Sequence, residues 1–417
     1  MKSFLKRVSA AVLTGALCAG VASAELNQSP GFMGIDGPDL ITPQGEKFFI
    51  RGTNLGNWLN PEGYMFGFSR TNSARQINDL FCELAGPDFT ASFWQAYKDA
   101  YITEADIKYI ASTGANTVRM PFHYKLFTDE DYMGLNSAQD GFRRIDDVVS
   151  WCRNNNLYLI LDMHDAPGGQ TGDNIDDSYG YPWLFESPAA QQKFINIWQS
   201  IAARYKDEPV ILGYELMNEP IAHYFDNKDE LNALLEPLYE RCVAAIREVD
   251  TNHIILLGGS QWNSNFEPLS VTPSDPLVMY TCHRYGGPAT ADAIRSYIDF
   301  RDKSNRPMYM GEIGHNTEKW QDDFATVLED NNIGYTFWPY KKCNDSCIMG
   351  VTMPEGWAAI VSYSEGPNAT FAEIREAAPD RAACRQAMTQ YLDSILLQNC
   401  TPQTGYITSM HLTPRDL

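Results

Sequence analysis

Two apolar runs that each contain a glutamate near their end decide the fold of this chain. They are Val210-Ile211-Leu212-Gly213-Tyr214-Glu215-Leu216-Met217-Asn218-Glu219-Pro220 and Pro307-Met308-Tyr309-Met310-Gly311-Glu312-Ile313-Gly314-His315. Runs that are apolar on both faces are typical of parallel strands covered on both sides. In a parallel barrel, the carboxyl ends of the strands converge on one site. The pattern therefore predicts that Glu219 and Glu312 face a common pocket.

Eight strand-like runs rich in β-branched and aromatic residues recur along the chain, and amphipathic helical stretches separate most of them. The runs are 48–54, 116–122, 157–164, 210–218, 253–259, 277–285, 307–313 and 333–338, and the helical stretches are 103–113, 141–154, 189–206, 230–249, 291–303 and 318–330. Eight such units in this order predict a single (β/α)8 TIM barrel of the α/β class. An open doubly wound sheet is the alternative, but the chain lacks a Gly-rich dinucleotide-binding turn.

Three segments exceed a minimal barrel. Residues 25–47 carry the turn signals Gly37-Pro38 and Gln44-Gly45, which predict an N-terminal hairpin that caps the barrel bottom. Residues 55–115 and 341–380 are long βα-loop insertions. They could wall one end of a cleft or line extended subsites.

The first 24 residues have the pattern of a secretory signal peptide. A basic start is followed by an apolar stretch and a small-residue ending: Lys2, Lys6 and Arg7, then residues 8–21, then Ala22-Ser23-Ala24. The apolar stretch is short for a membrane anchor. We therefore predict cleavage after Ala24, export to an extracellular or periplasmic location, and one catalytic domain over residues 25–417.

The chain without residues 1–24 is strongly acidic, with 29 Lys and Arg against 53 Asp and Glu and a net charge near −24. Such a surface repels nucleic acids and anionic membranes and favours a neutral or cationic ligand. Aromatic residues make up 12% of the chain, and surplus rings are typical of clefts in which sugars stack. No oligomeric state follows from these features.

Eight cysteines remain after residue 24: Cys82, Cys152, Cys242, Cys282, Cys343, Cys347, Cys384 and Cys400. An even number in an exported protein permits disulfides, and Cys343 with Cys347 is the favoured pair. Cys152 lies in a helical pattern and is expected to be a buried thiol. A zinc site is not expected, because His partners are not close in sequence.

Polar and aromatic residues stand in a set order at the ends of the predicted strands. They are Arg119, His164, Asn218, Glu219, His283, Tyr285, Glu312 and Trp338. This set resembles the active site of glycoside hydrolase family 5, a cellulase and exo-β-1,3-glucanase-like family of clan A, over about residues 48–341. The resemblance implies a retaining β-glycosidase in which Glu219 is the acid/base and Glu312 the nucleophile, with no metal and no cofactor.

The resemblance also implies roles for the other residues of the set. Arg119 and Tyr285 would keep Glu312 anionic and aimed. His283 would lie near the acid and tune it. The three remaining residues are expected to contact sugar: Asn218 at the 2-hydroxyl, His164 at another hydroxyl, and Trp338 as a flat platform.

Taken one at a time, some of these residues have other interpretations. Glu219 could cap the helix after Pro220, and Glu312 could be a paired structural carboxylate. His164 could be a metal ligand, but the His-x-His pair of barrel metallohydrolases is absent from the first strand. Glu215 is expected to be structural.

Two stretches are similar to exo-β-1,3-glucanases of the family, residues 51–59 and the Pro/Gly loop 164–172. Trp58, in the first, is expected to bind substrate, whereas Asn57 and residues 60–62 depart from the pattern. The loop could equally be a turn without a ligand role. We therefore expect hydrolysis of β-linked glucans, with exo-β-1,3-glucanase-like action. The alternatives are an endo-acting β-1,4-glucanase or mannanase, or a non-catalytic carbohydrate-binding barrel.

Overall fold

A computed structural model describes residues 31–343 and 346–417, so the predicted signal peptide lies outside the described residues. The strands are β1 Gly34–Asp36, β2 Asp39–Ile41, β3 Lys47–Phe48, β4 Arg51–Asn54, β5 Thr117–His123, β6 Tyr158–Asp165, β7 Ile211–Glu215, β8 Ile254–Gly258, β9 Val278–His283, β10 Met308–Gly314, β11 Gly334–Trp338, β12 Lys341–Cys343, β13 Met349–Val351 and β14 Thr401–Pro402. The helices are α1 Ala74–Ala85, α2 Pro87–Ala100, α3 Glu104–Ser112, α4 Asp140–Asn155, α5 Pro188–Tyr205, α6 Lys228–Arg247, the single turn α7 Ser260–Asn263, α8 Arg295–Ser304, α9 Glu318–Asp330, α10 Trp357–Ser364, α11 Phe371–Ala377, α12 Arg381–Ser394 and α13 Thr404–Ser409.

Strands β4 to β11 close into one parallel barrel, which confirms the predicted (β/α)8 fold. Around the barrel the order is β10-β11-β4-β5-β6-β7-β8-β9, and at least one helix separates each consecutive pair along the chain. All residues of β7 to β11 are buried, because helices cover the outer face and packed side chains fill the interior. The carboxyl ends of eight different strands therefore meet at one end of the barrel.

The predicted first strand, residues 48–54, is in fact two strands. Phe48 pairs antiparallel with Leu40 in the N-terminal hairpin, whereas β4 begins at Arg51 and pairs with β5 and β11. Ile35 and Leu40 of the hairpin pack against the interior residues Leu212 and Ile254. The hairpin therefore caps the end of the barrel opposite the strand carboxyl ends.

The two long insertions pack on each other beside the β4 and β11 end of the barrel. Their shared core is aromatic: Phe66, Phe81, Trp94 and Tyr97 come from the first insertion, Trp357 comes from the second, and Tyr391 of α12 packs on them. The Trp357 indole donates a hydrogen bond to the Phe66 carbonyl at 2.9 Å. Below this core, Lys341 Nζ lies 2.7 Å from Asp106 Oδ1, and both side chains are fully buried. These contacts join the segment after β11 to the long connection after β4.

The structure forms no disulfide among the eight described cysteines, so the Cys343–Cys347 pairing stays a prediction. Cys152 is fully buried, as expected for a core thiol. Among the described residues, none of the helices combines the length and the apolar character that a bilayer crossing requires.

The buried Lys341–Asp106 pair yields a stability prediction. Lys341→Met leaves the Asp106 carboxylate buried without its cation, and breaking a buried pair in this way costs about 3–5 kcal/mol of unfolding free energy. Urea denaturation followed by tryptophan fluorescence should show this loss. The control is Lys319→Met, because Lys319 pairs with Asp323 at the surface and is 82% exposed. Equal urea midpoints for the two variants would contradict the prediction.

Candidate active site

The eight residues of the predicted strand-end set lie within the barrel strands or directly after them, on the side of their carboxyl ends. Arg119 lies in β5, His164 in β6 and Glu312 in β10; His283 and Trp338 end β9 and β11; Asn218 and Glu219 follow β7, and Tyr285 follows β9. Hydrogen bonds and ring contacts join them into one network. The structure therefore brings these eight residues together.

The guanidinium of Arg119 is the centre of this network and is fully buried. Its Nε and Nη2 donate to the two carboxylate oxygens of Glu215 at 3.0 and 2.7 Å, and its Nη1 donates to Glu312 Oε1 at 2.7 Å. Nη2 also lies 3.0 Å from Asp162 Oδ2. Charge-assisted bonds of this kind are strong and directional. Glu215 is thus the bidentate partner of Arg119, in agreement with the structural role expected for it.

The carboxyl group of Glu312 accepts hydrogen bonds from two sides. Arg119 donates to Oε1, and the Tyr285 hydroxyl donates to Oε2. Burial, followed by the charge of Glu312, raises the pKa of Tyr285 well above its usual range, so this hydroxyl keeps its proton and remains a donor. Two donors to the ionised carboxylate favour that form.

Glu219 has a different environment and is held in its protonated form. Burial raises its pKa from 4.5 to about 8; Arg119 opposes this shift, whereas Asp162 and Asp173 add to it. Its backbone is left-handed, with φ 46°, and the Thr171 hydroxyl donates to its carbonyl at 2.7 Å. At neutral pH the carboxyl group therefore carries a proton that it can donate.

His283 joins the two carboxyl groups. Its Nδ1 lies 2.7 Å from Glu219 Oε1 and 3.6 Å from Glu312 Oε2. One donor atom from each of the three residues lies within 4.8 Å of the others. Such a set could in principle hold a metal ion, but hydrogen bonds to His283, Arg119 and Tyr285 already account for both carboxyl groups. The arrangement is that of an acid and an anion placed side by side.

His164 is neutral and engaged at both ring nitrogens. Its Nδ1 donates to Asp162 Oδ2 at 2.7 Å, and its Nε2 accepts from the Asn218 amide at 3.3 Å. Burial lowers the pKa of His164 to about 3. The ring is stacked on Trp338, with centroids 5.1 Å apart and planes 2° apart. These contacts favour a hydrogen-bonding role over the alternative of a metal ligand.

The Pro/Gly loop 164–172 is a scaffold behind the acid. The Gln170 amide donates to the carbonyls of His164 and Asn218 at 2.7 and 2.8 Å, and its Oε1 accepts from Ala166 N at 2.9 Å. Gln170 is fully buried. The part of this loop that is similar to the exo-β-1,3-glucanase loop therefore holds the backbone carbonyls of His164 and Asn218 in place.

Two residues of the first insertion that were not among the expected site residues belong to this site. Tyr64 Oη accepts from the Trp338 indole at 2.8 Å and lies 3.1 Å from His315 Nε2. Glu62 is 4% exposed, and burial together with the charges of Glu312 and Glu219 raises its pKa well above 4.5. The sequence feature that could have indicated these two residues is the presence of one acidic residue, Glu62, within the aromatic stretch 58–68.

Trp58 does not join the site, contrary to expectation. It is fully buried, and its indole donates to the carbonyl of Lys98 in α2 at 2.8 Å. The ring packs in the core between the barrel and the first insertion. An aromatic residue in an insertion can pack in the core or bind substrate. Only the three-dimensional packing of the insertion decides between these two roles.

Comparisons with known proteins agree with this geometry. The family model of the cellulases, glycosyl hydrolase family 5, matches residues 81–344. A beta-xylosidase of Phanerodontia chrysosporium is 30% identical over 236 residues, which are 56% of this chain and 48% of the relative, so the chain spans about half of that relative's length. Endoglucanase C of Acetivibrio thermocellus is 29% identical over 60% of this chain and 87% of its own. Glucan 1,3-beta-glucosidase I/II of Saccharomyces cerevisiae is 33% identical over 69% and 67%.

Solved structures share the fold at lower identity. A rutinosidase from Aspergillus niger is 20% identical with a TM-score of 0.58, over 72% of this chain and 91% of its own. An endogalactoceramidase is 19% identical with a TM-score of 0.56, over 75% of both chains.

The raised pKa of Glu219 predicts a pH-dependent stability difference. A carboxyl group whose pKa is near 8 when folded and 4.5 when unfolded stabilises the fold fully below pH 4.5, and this contribution is lost as the pH rises through 8. Glu219→Gln cannot ionise. The free energy of unfolding of Glu219→Gln minus that of the native protein should therefore increase between pH 4.5 and 9, by on the order of 4 kcal/mol.

Urea denaturation of the native protein and the variant across this pH range measures the difference. Glu355→Gln, at an exposed position, is the matched control and should follow the native protein at every pH. Parallel curves for Glu219→Gln and the native protein would show that Glu219 is not held protonated.

Proposed function

The chain belongs to the cellulase family, glycosyl hydrolase family 5, and on that premise we propose that it is a secreted, retaining β-glycosidase. Its proposed substrates are β-linked glucan-type polysaccharides or oligosaccharides. The observation that carries the proposal is the close approach of Glu219 and Glu312 at His283, with one atom from each of the three residues within 4.8 Å of the others, where burial raises the pKa of Glu219 and Arg119 donates to Glu312. Retaining enzymes place their two carboxyl groups about 5–5.5 Å apart, whereas inverting enzymes leave room for a water between them.

The proposed reaction has two displacements. Glu312 attacks the anomeric carbon while Glu219 gives its proton to the leaving oxygen, which yields a glycosyl ester on Glu312. Glu219, now ionised, then takes a proton from a water molecule as that water attacks the anomeric carbon, which breaks the bond to Glu312 and frees its carboxylate. The two carboxyl groups supply both the proton transfer and the nucleophile, so the scheme requires no cofactor.

The surrounding charges suit this sequence of events. Arg119 and the Tyr285 hydroxyl support the anionic form of Glu312 before attack. When Glu312 becomes an ester its negative charge is gone, and a carboxyl group within 4.8 Å loses protons more readily without that charge. Glu219 can therefore act first as an acid and then as a base.

The remaining residues are proposed to hold the sugar. Asn218, whose Oδ1 is held by Arg119 at 2.8 Å, presents its amide beside Glu219, where a substrate 2-hydroxyl would lie. His164 can bond a second hydroxyl. Trp338 offers a ring face beneath the sugar at the cleavage point.

The first insertion supports exo action on β-1,3-glucan. Glu62 and Tyr64 stand beside Trp338 and Glu312, where they would close the sugar-holding side of the cleft. The glucan 1,3-beta-glucosidase relative is consistent with this proposal. The second candidate is endo action on β-1,4-glucan or mannan. It is favoured by the endoglucanase relative and by half-exposed aromatics such as Trp183 and Tyr224, which could hold a long chain.

A product time course on laminarin-type β-1,3-glucan, β-1,4-glucan and mannan tests the proposal. We expect glucose as the only product from the β-1,3 polymer. A cleft that is closed on one side of the cleavage point has room there for a single terminal sugar. A ladder of oligosaccharides from β-1,4-glucan or mannan would replace exo action with endo action.

Two variants accompany this experiment. Glu312→Ala should abolish turnover, because it removes the nucleophile, while circular dichroism shows a retained fold, because Arg119 keeps Glu215 and Asp162 as partners. Glu355→Ala, at the exposed surface, should keep the native rate. Native turnover by Glu312→Ala, or no turnover of any of these glycans by the native protein, would overturn the proposal.

Export to an extracellular or periplasmic location is part of the same proposal. It rests on the signal-like residues 1–24 and on the acidic remainder of the chain. Sequencing the N-terminus of the protein recovered outside the cytoplasm should give Glu25 as the first residue. Retention of residues 1–24 in the mature protein would contradict it.

A further inference from the structure

A left-handed backbone turn lies directly behind His283. In α7, the φ angles of Gln261, Trp262 and Asn263 are 49°, 57° and 58°. Left-handed backbone is unfavourable for residues other than glycine and is unusual for a residue as bulky as tryptophan. Strained conformations persist only where surrounding contacts hold them, and they cluster at functional sites.

Contacts from the Glu219 loop and from the turn itself hold this backbone. Gln261 N donates to the carbonyl of Ile221 at 2.9 Å. The Gln261 side-chain amide donates to Asn232 Oδ1 at 3.0 Å, and its Oε1 accepts from Asn265 Nδ2 at 2.8 Å. Ile221 is also left-handed, with φ 58°, and lies two residues after Glu219. The turn is therefore built onto the segment that carries the acid.

The turn presents the Asn263 amide to His283. Asn263 is fully buried, and its Nδ2 lies 3.2 Å from His283 Nε2. Space for the amide exists because Gly258 has no side chain: a Cβ at that position would lie 2.0 Å from Asn263 Oδ1. Within the part of the chain that the structure describes, Asn263 is the hydrogen-bond partner of this ring nitrogen.

An amide N–H that faces Nε2 requires a lone pair there. The single proton of a neutral imidazole then resides on Nδ1, from which it is donated to Glu219 Oε1 at 2.7 Å. Burial lowers the pKa of His283 to about 4, which keeps the ring neutral. With Oε1 occupied as an acceptor, the acid proton of Glu219 must lie on its other oxygen, Oε2. In the opposite tautomer, Nδ1 would accept that proton and withdraw it from the leaving group.

We propose that Asn263 is a positioning residue that selects the Nδ1–H tautomer of His283 and thereby keeps the proton of Glu219 on the oxygen available to the leaving group. This inference rests on the proposed function and extends it to a residue that does not contact the acid.

Other charged or titratable groups surround Glu219 and His283. They are Glu62, Tyr64, Arg119, Asp162, His164, Asp173, Glu215, Tyr285 and Glu312. Glu312 Oε2, 3.6 Å from Nδ1, favours a proton on that nitrogen and so acts in the same direction as Asn263, but among the described contacts Asn263 alone bonds Nε2. A tautomer is decided by the partners of the individual nitrogens, so the amide has the decisive position.

Nitrogen-15 NMR of histidine-labelled native protein tests the assignment without any turnover. The chain has seven histidines, and the His283 signals are identified by their loss in His283→Gln. We expect a protonated Nδ1 and an unprotonated Nε2 near neutral pH. The reverse pattern would mean that the Asn263 amide presents its oxygen to the ring, and would overturn the proposal.

Asn263→Asp is the sharpest variant, because it replaces the donor by an acceptor of the same size. Nε2 should become protonated in the NMR spectrum. kcat/KM on laminaribiose, whose sugar leaving group needs a proton, should fall by about 10- to 100-fold, which is less than the roughly 10²–10⁴-fold that general-acid catalysis supplies, because the acid itself is retained. kcat/KM on 2,4-dinitrophenyl β-glucoside, whose leaving group departs without a proton, should change by less than about threefold.

Ser264→Asp is the matched control, because it adds the same charge to the exposed next position of the turn. It should keep the native ratio of the two kcat/KM values. An equal loss of Asn263→Asp on both substrates would indicate a merely structural residue and overturn the proposal. If the native protein cleaves neither glycoside, the proposed function fails, while the NMR pattern still decides the role of Asn263.

Discussion

The buried guanidinium of Arg119 is the interaction on which the rest of the site depends. This group cannot lose its proton in a protein, so its burial in a dry barrel requires anionic partners. Glu215 and Asp162 provide them at Nη2 of the planar fork, and Glu312 provides one at Nη1. Removal of the guanidinium would leave three buried carboxyl groups without a cation. The same fork that balances this charge also aims Glu312 into the pocket.

The position of this one cation separates the two central carboxyl groups chemically. Glu312 receives a direct bond from Arg119, whereas the hydrogen-bond partner of the Glu219 carboxyl group is the neutral imidazole of His283. Both groups are buried, and burial opposes ionisation unless a donor or a cation compensates for it. The result is an ionised group beside a protonated one, the combination that acid and nucleophile chemistry needs at one pH. The Asn263 amide continues this logic outward, since it assigns the imidazole proton and does not add charge.

The insertions shape the pocket through contacts with each other. Their aromatic interface, which includes Phe66 and Trp357, holds the first connection beside β11. That connection brings Tyr64 to the Trp338 indole and places Glu62 among the central carboxyl groups. One side of the cleft is therefore built from segments that are almost 300 positions apart in the chain. The connections after β6 and β7 carry the half-exposed rings of Trp183 and Tyr224.

The sequence by itself determined the barrel and the eight polar and aromatic residues that the barrel brings together, because strand runs and the residues in or just after them are local features and all strand ends converge in a parallel barrel. Tertiary structure decided which residues of the insertions reach the pocket. Trp58 packs in the core and Glu62 lies among the central carboxyl groups, although both lie in one stretch, because the start of the first insertion packs against α2 of the same insertion and against the second insertion. Asn263 could not be found from sequence either, since its role depends on a left-handed turn and on the distant ring of His283. Local pattern specifies where strands end, and long-range packing specifies what meets there.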